Sequence, residues 1–98
     1  MAEIRIDEET ETDRGWRFHA MIRAEGEEAR RFMVRVSWAD YDLWGRGAVP
    51  PAEVARALMR VLFDRGALDD LGESFDASSA RRLVRTLDDD VPRALTDG

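Results

Sequence analysis

The fold turns on one stretch, Phe32-Met33-Val34-Arg35-Val36-Ser37-Trp38-Ala39-Asp40-Tyr41-Asp42-Leu43-Trp44-Gly45-Arg46-Gly47. Its first part sets Phe32, Val34 and Val36 on one side and Met33 and Arg35 on the other, the period-two mark of a half-buried strand. Its second part reads as a helix start with a built-in stop. Ser37 and Asp40 have the Ser-x-x-acid spacing of a capping box, with Asp in place of the usual Glu or Gln. Gly45 and Gly47 supply the backbone freedom that ends such a turn. Two of the three tryptophans and the only tyrosine lie here. The stretch is a pivot between a strand half and a helix half.

On the N-terminal side, residues 2–7 place Ala2, Ile4 and Ile6 on one face and Glu3, Arg5 and Asp7 on the other. Glu8 to Arg14 is polar and reads as a loop. Residues 15–24 alternate again, with Trp16, Phe18, Ala20 and Ile22 facing inward and Arg17, His19, Met21 and Arg23 outward. Gly26 suits a turn in Glu25-Gly26-Glu27-Glu28 because it adopts positive φ without a steric penalty. Residues 30–37 form a third strand, with Phe32, Val34 and Val36 inward. Three strands with short links predict an antiparallel meander with one apolar and one charged face.

On the C-terminal side, a helix is expected over about 38–44, and Val49-Pro50-Pro51-Ala52-Glu53 opens the next over 51–65. Proline suits a first helical turn, where an N–H would go unpaired. Val54, Leu58, Val61, Leu62 and Arg65 line one side, while Arg56, Arg60 and Asp64 are wet. Ala55, Met59 and Phe63 widen the stripe beyond the need of one sheet face. This width predicts a second packing partner: another helix, or a second copy in a homodimer joined through this helix or a sheet edge. Gly66 to Gly72 reads as a loop or short turn. Phe75 as a hydrophobic staple and Asp76 or Ser78 as a cap then announce a helix over 77–88. Its stripe is Ala80, Leu83, Val84 and Leu87, with Arg81, Arg82 and Arg85 in water and Asp88-Asp89-Asp90 as its end. Val91 to Leu95 adds a final turn. The expected fold is α+β, a three-stranded antiparallel meander, a short turn, and two main helices on one sheet face. The expected core is Ile4, Ile6, Trp16, Phe18, Ile22, Phe32, Val34, Val36, Val54, Leu58, Val61, Leu62, Leu83 and Leu87.

Composition bounds the function. A chain of 98 residues with 44% apolar content reads as one domain with a small core. Cysteine is absent, which excludes disulfides, thiolate metal sites and a cysteine nucleophile. All fifteen basic residues are Arg, and Lys, Asn and Gln do not occur. So uniform a bias reads as the codon usage of a GC-rich bacterial genome rather than as local phosphate recognition. The net charge of −6 argues against general nucleic-acid binding, which uses a positive field to displace counterions. The N-terminus lacks the basic and apolar regions of a signal peptide, and no apolar run approaches the ~18 residues needed to span a bilayer. The expectation is a cytoplasmic protein away from membranes.

Two clusters are candidate sites. The pivot residues Trp38, Asp40, Tyr41, Asp42 and Trp44 offer a partner-binding surface, because aromatics give large contact area at low entropy cost. The plainer reading is that one or two of these rings close the core and Asp40 caps the turn. On the outer sheet face, Arg17, His19, Arg23, Arg31 and Arg35 offer an anionic-ligand or nucleic-acid surface. Yet the stacking aromatics of an RNA-reading sheet fall on the opposite face here, and Glu3 and Asp7 sit among the arginines. Cross-strand ion pairing explains that face more simply. The single histidine, His19, lacks partners for a triad or a histidine-rich metal site. Asp69-Asp70 and Asp88-Asp89-Asp90 lack the spacing of a calcium loop and read as solvated helix-end charge. No phosphate loop, nucleophile elbow or zinc-protease motif occurs. No catalytic residue, metal or cofactor is nominated. A hydrolase built on Asp40, Asp42 or His19 would require one cleft joining them.

The run Val36 to Trp44, followed by Val49-Pro50-Pro51 and later Phe75-Asp76, resembles small bacterial proteins with no assigned function, over about residues 32 to 92. That resemblance carries no catalytic residues and implies a non-enzymatic role. The combined expectation is a non-catalytic module that binds an as yet unknown protein partner.

Overall fold

The structure, a computed structural model, describes residues 2–97. Strands β1 (Ala2–Glu11), β2 (Gly15–Ala24) and β3 (Arg30–Ser37) form the expected antiparallel meander. A short fourth strand, β4 (Ser74–Asp76), adds parallel to β3, giving a sheet in the order β1-β2-β3-β4. The helices are α1 (Trp38–Gly45), α2 (Pro51–Asp64), a single turn α3 (Leu68–Leu71) and α4 (Leu87–Asp97). A 3-10 turn spans Ala77–Arg82. The fold class is therefore α+β, with helices packed on one sheet face. No described helix is long and apolar enough to cross a membrane.

The strands follow the alternation closely. Phe18, Ala20, Ile22, Phe32, Val34 and Val36 are buried on the inner face. Ile6 and Trp16 are half-buried and pack at its margin. Gly26 makes the β2–β3 turn with φ 81°. Two details differ from expectation. β1 continues through the polar run to Glu11, with a bulge between Ile6 and Glu8. Ladder hydrogen bonds come from backbone, so a polar run opposite a well-formed strand still pairs. Met21, on the outer face, is buried all the same. Its register neighbours on the two flanking strands are Arg5 and Arg31. Long arginine stems beside a thioether shield it from water while their charged ends remain exposed.

The larger difference lies after Gly72. The expected helix 77–88 is two elements: a 3-10 turn that ends at Arg82, then α4 from Leu87. Phe75 is buried, as a staple would be, but it sits in β4 opposite Val34 and edge-on to Phe32, with centroids 6.5 Å apart. The acidic triplet Asp88-Asp89-Asp90 opens α4 instead of closing a helix. Acidic side chains are favoured in a first turn, where unpaired N–H groups carry partial positive charge. Thr86 supplies the start: its carbonyl accepts from the Asp89 and Asp90 amides. The break rotates Leu83 out of the core, leaving it 45% exposed, whereas Val84, Leu87 and Val91 are buried.

This shift also settles what covers α2. Val54, Ala55, Leu58, Met59, Val61 and Leu62 are all buried, and Phe63 is half-buried against the same core. α2 packs on β1 and β2 with one side and on α4 with another. The wide stripe is thus covered within one chain, and no second copy is needed to bury it.

Candidate functional site

The pivot folds as its capping signal says. Ser37 is the N-cap of α1, and its hydroxyl accepts from the Asp40 amide at 3.1 Å. The other half of the expected capping box is absent, because the Asp40 carboxylate is engaged elsewhere. At the far end, Arg46 takes the left-handed conformation (φ 51°), followed by Gly47 (φ 71°). Gly45 stays helical and has a different use. A Cβ there would lie 3.0 Å from Val54 Cγ2, so its lack of a side chain lets α1 press against α2.

One turn of helix separates the pivot residues into two groups. Asp40 and Trp44 face inward, Asp40 only 7% exposed and Trp44 fully packed. Both meet Arg81, at the end of the 3-10 turn. The Arg81 guanidinium donates to Asp40 Oδ1 at 2.7 Å and to Asp88 Oδ1 at 2.9 Å, and lies 5.0 Å from the centre of the Trp44 ring. The Trp44 indole N–H donates to the same Asp88 oxygen at 2.9 Å. Four residues from α1, the 3-10 turn and α4 thereby form one closed network. Its electrostatics agree with its geometry. Hydrogen bonding to Asp40 raises the Arg81 pKa above its ordinary value against the opposing effect of burial, with Asp88 adding to the rise. Asp88 is held below the usual carboxylate range, first by Arg81 and, against desolvation, by the Trp44 indole.

This network corrects two readings. Arg81 is not a water-facing twin of Arg82, and the acidic triplet is not simply solvated charge. Asp90 is also buried, accepting from Arg65 Nη2 at 2.8 Å and from the Thr86 hydroxyl at 2.6 Å. Asp69 meets Arg30 at 2.8 Å. The ligands of Arg81 were hidden from sequence reasoning because they lie 41 and 7 residues away. A faint signal existed in the acidic run, whose better use is to begin a helix.

The second group faces outward. Tyr41 is half-buried, its hydroxyl donating to the Val49 carbonyl at 2.6 Å. Its ring lies edge-on to Trp16 at 4.9 Å, and Trp16 is edge-on to Trp38 at 6.4 Å. Trp38 is 45% exposed. Asp42 is exposed, and Leu43 is 49% exposed. The solvent side of α1 is therefore largely apolar, carrying Trp38, Ala39 and Leu43 around one acid. The sequence reading missed Leu43, which belongs to this surface, and included Asp40 and Trp44, which are buried and do not.

On the outer sheet face, three of the five nominated residues are ion-paired. Arg23 meets Glu3 at 2.7 Å, Arg31 meets Asp7 at 3.5 Å, and Arg35 meets Asp76. Arg17 lies opposite Arg35 in register, beside a groove of about 540 Å³ that also includes Arg14, Asp13, Asp40 and Asp76. Three acids, Asp13, Asp40 and Asp76, offset the three arginines in its lining, so it presents no concentrated positive field. His19 sits mid-strand between Glu8 and Met33 and does not line the groove. Asp42 is also outside it. Asp40, Asp42 and His19 therefore share no cleft there, and the requirement for a hydrolase built on them is unmet in that groove.

Comparison with protein-family models, with curated proteins and with solved structures found no match.

Proposed function

We propose that this chain is a non-catalytic binding module that docks a protein partner on the solvent side of α1. The observation that carries the reading is the exposure of two large apolar side chains, Trp38 and Leu43, on one short, well-anchored helix. Isolated exposed apolar residues are ordinary, but tryptophan is among the side chains that most often dominate interface energetics, and here it shares one rigid element with an exposed leucine that widens the apolar contact. The anchor is preorganised. Ser37 caps the helix, Gly45 seats it on α2, and the Arg81 network ties its inner face to α4. Trp38 further leans edge-on against Trp16, which limits the freedom it would lose on binding. The Arg17–Arg35 face supports an anionic ligand less well, because acids neutralise most of its arginines.

A photo-crosslinking residue at position 43, introduced in the source cells, tests the proposal. The expected result is a discrete adduct that Trp38→Ala abolishes while circular dichroism shows the variant still folded. A crosslinker at exposed Arg56 serves as the control. Absence of a discrete adduct, or one equally strong from position 56 and indifferent to Trp38→Ala, would refute docking on α1.

A further inference from the structure

We propose that the β1 edge pairs with the β1 edge of a second copy, joining two sheets into one of eight strands. β1 is an outer strand of the sheet and has no strand beside its outer edge among the described residues, so that edge presents N–H and C=O groups outside the ladder. Its first five residues, Ala2-Glu3-Ile4-Arg5-Ile6, run regularly along β2 before the bulge. Read antiparallel to itself about Ile4, this pentapeptide is self-complementary. Ile4 faces the partner's Ile4, Ala2 faces the partner's Ile6, and Glu3 faces the partner's Arg5. Both apolar contacts fall on the inner sheet face, and both charge pairs fall on the outer face.

The register is selective. Shifting the two-fold axis to Glu3 sets Glu3 against Glu3, and shifting it to Arg5 sets Arg5 against Arg5 and Glu3 against Asp7. Like charges directly opposite are destabilising in a sheet. An axis at Ile6 would require the bulge itself to pair. A slip of one strand by one residue would put apolar residues opposite the charged face. Only the axis at Ile4 matches charge and hydropathy together. Within each chain, Glu3 already lies across from Arg23 and bonds to it at 2.7 Å. In the dimer it would lie between two arginines, one from each copy.

The same strand limits the assembly. Beyond the bulge, Glu8, Glu9 and Glu11 are exposed, and a two-fold axis placed within that segment would set acid against acid. The opposite sheet edge, β4, is only three residues long. The contact is therefore isologous and closed, a dimer rather than a fibre. It is independent of the α1 surface and stands whether or not α1 docks a partner.

Sedimentation equilibrium across a concentration series reads the result directly. The expected mass climbs from 11.2 kDa towards twice that value as concentration rises to the millimolar range. Glu3→Arg alone and Arg5→Glu alone each turn two symmetry-related attractive pairs into repulsive ones. Each is expected to weaken association roughly tenfold or more. An equimolar mixture of the two variants restores opposite charges across the edge and is expected to form heterodimers. Circular dichroism checks that each variant folds. On the unaltered chain, hydrogen exchange of the Ala2–Ile6 amides should slow as concentration rises. A constant 11.2 kDa mass, exchange indifferent to concentration, a dimer indifferent to both reversals, or a mixture that stays monomeric overturns the proposal.

Discussion

Replacing Arg81 with alanine tests the central packing argument, because Arg81 and its neighbour Arg82 look alike in sequence and differ completely in the fold. Arg81 bridges α1 to α4, while Arg82 is exposed. The cost divides among three contacts. The bond to nearly buried Asp40 is charge-assisted, and its loss strands a carboxylate poorly reached by water, at about 1.5–3 kcal/mol. The Asp88 side chain is 50% exposed, so water replaces most of that bond and its loss costs below about 1 kcal/mol. The guanidinium over the Trp44 ring adds about 0.5–1 kcal/mol. Together Arg81→Ala should destabilise by about 3 kcal/mol, against a total of about 5–15 kcal/mol for a domain of this size. The melting temperature should fall by roughly 12–24 °C. Urea titration followed by tryptophan fluorescence measures this, and Trp44 is well placed to report it. Arg82→Ala should stay within about 0.5 kcal/mol of the parent. Adding Asp40→Asn to Arg81→Ala should recover part of the loss, since it removes the stranded charge. Equal losses for the two arginines, or no recovery in the double variant, would refute the network as a structural latch.

Other consequences follow from the same geometry. Asp88 has a depressed folded pKa, so its contribution is complete above its ordinary value of 3.8 and is lost as pH falls through the lower folded value. The gap in urea midpoint between the parent and Asp88→Asn should therefore be constant near neutrality and close only below about pH 4. The break between the 3-10 turn and α4 separates two leucines that helical spacing would place together. Leu87→Ala should cost about 2–5 kcal/mol, whereas Leu83→Ala should stay within about 0.5 kcal/mol. Comparable losses at both positions would restore a continuous helix over 77–88.

The strands were legible residue by residue because a half-buried strand writes its burial into the sequence with period two. Gly15–Ala24 and Arg30–Ser37 have the expected bounds, and their inner faces are the expected ones. α2 was equally plain, with prolines at its start, Gly66 just beyond its end and a stripe between. Local capping at Ser37 was also readable, since it involves atoms three residues apart.

The candidate site was only half legible. That Trp38, Tyr41 and Trp44 sit on one helical turn followed from the sequence, but which ring faced water did not. That choice depends on where Arg81, Val54 and α4 arrive, and these come from distant parts of the chain. The same holds for β4. Phe75 and Asp76 carry a good helix-start pattern, yet the open edge of β3 offers backbone hydrogen bonds that no local signal announces. Once Phe75 is drawn into the sheet against Phe32, the chain after it turns too tightly to continue as one helix. Alternation, capping and proline placement thus determined the elements and their apolar faces, because these are contacts between near neighbours. Tertiary structure alone decided the parallel fourth strand, the break at Leu83 and the burial of Asp40. Each of these is settled by unpaired groups that find their partners only when remote segments meet.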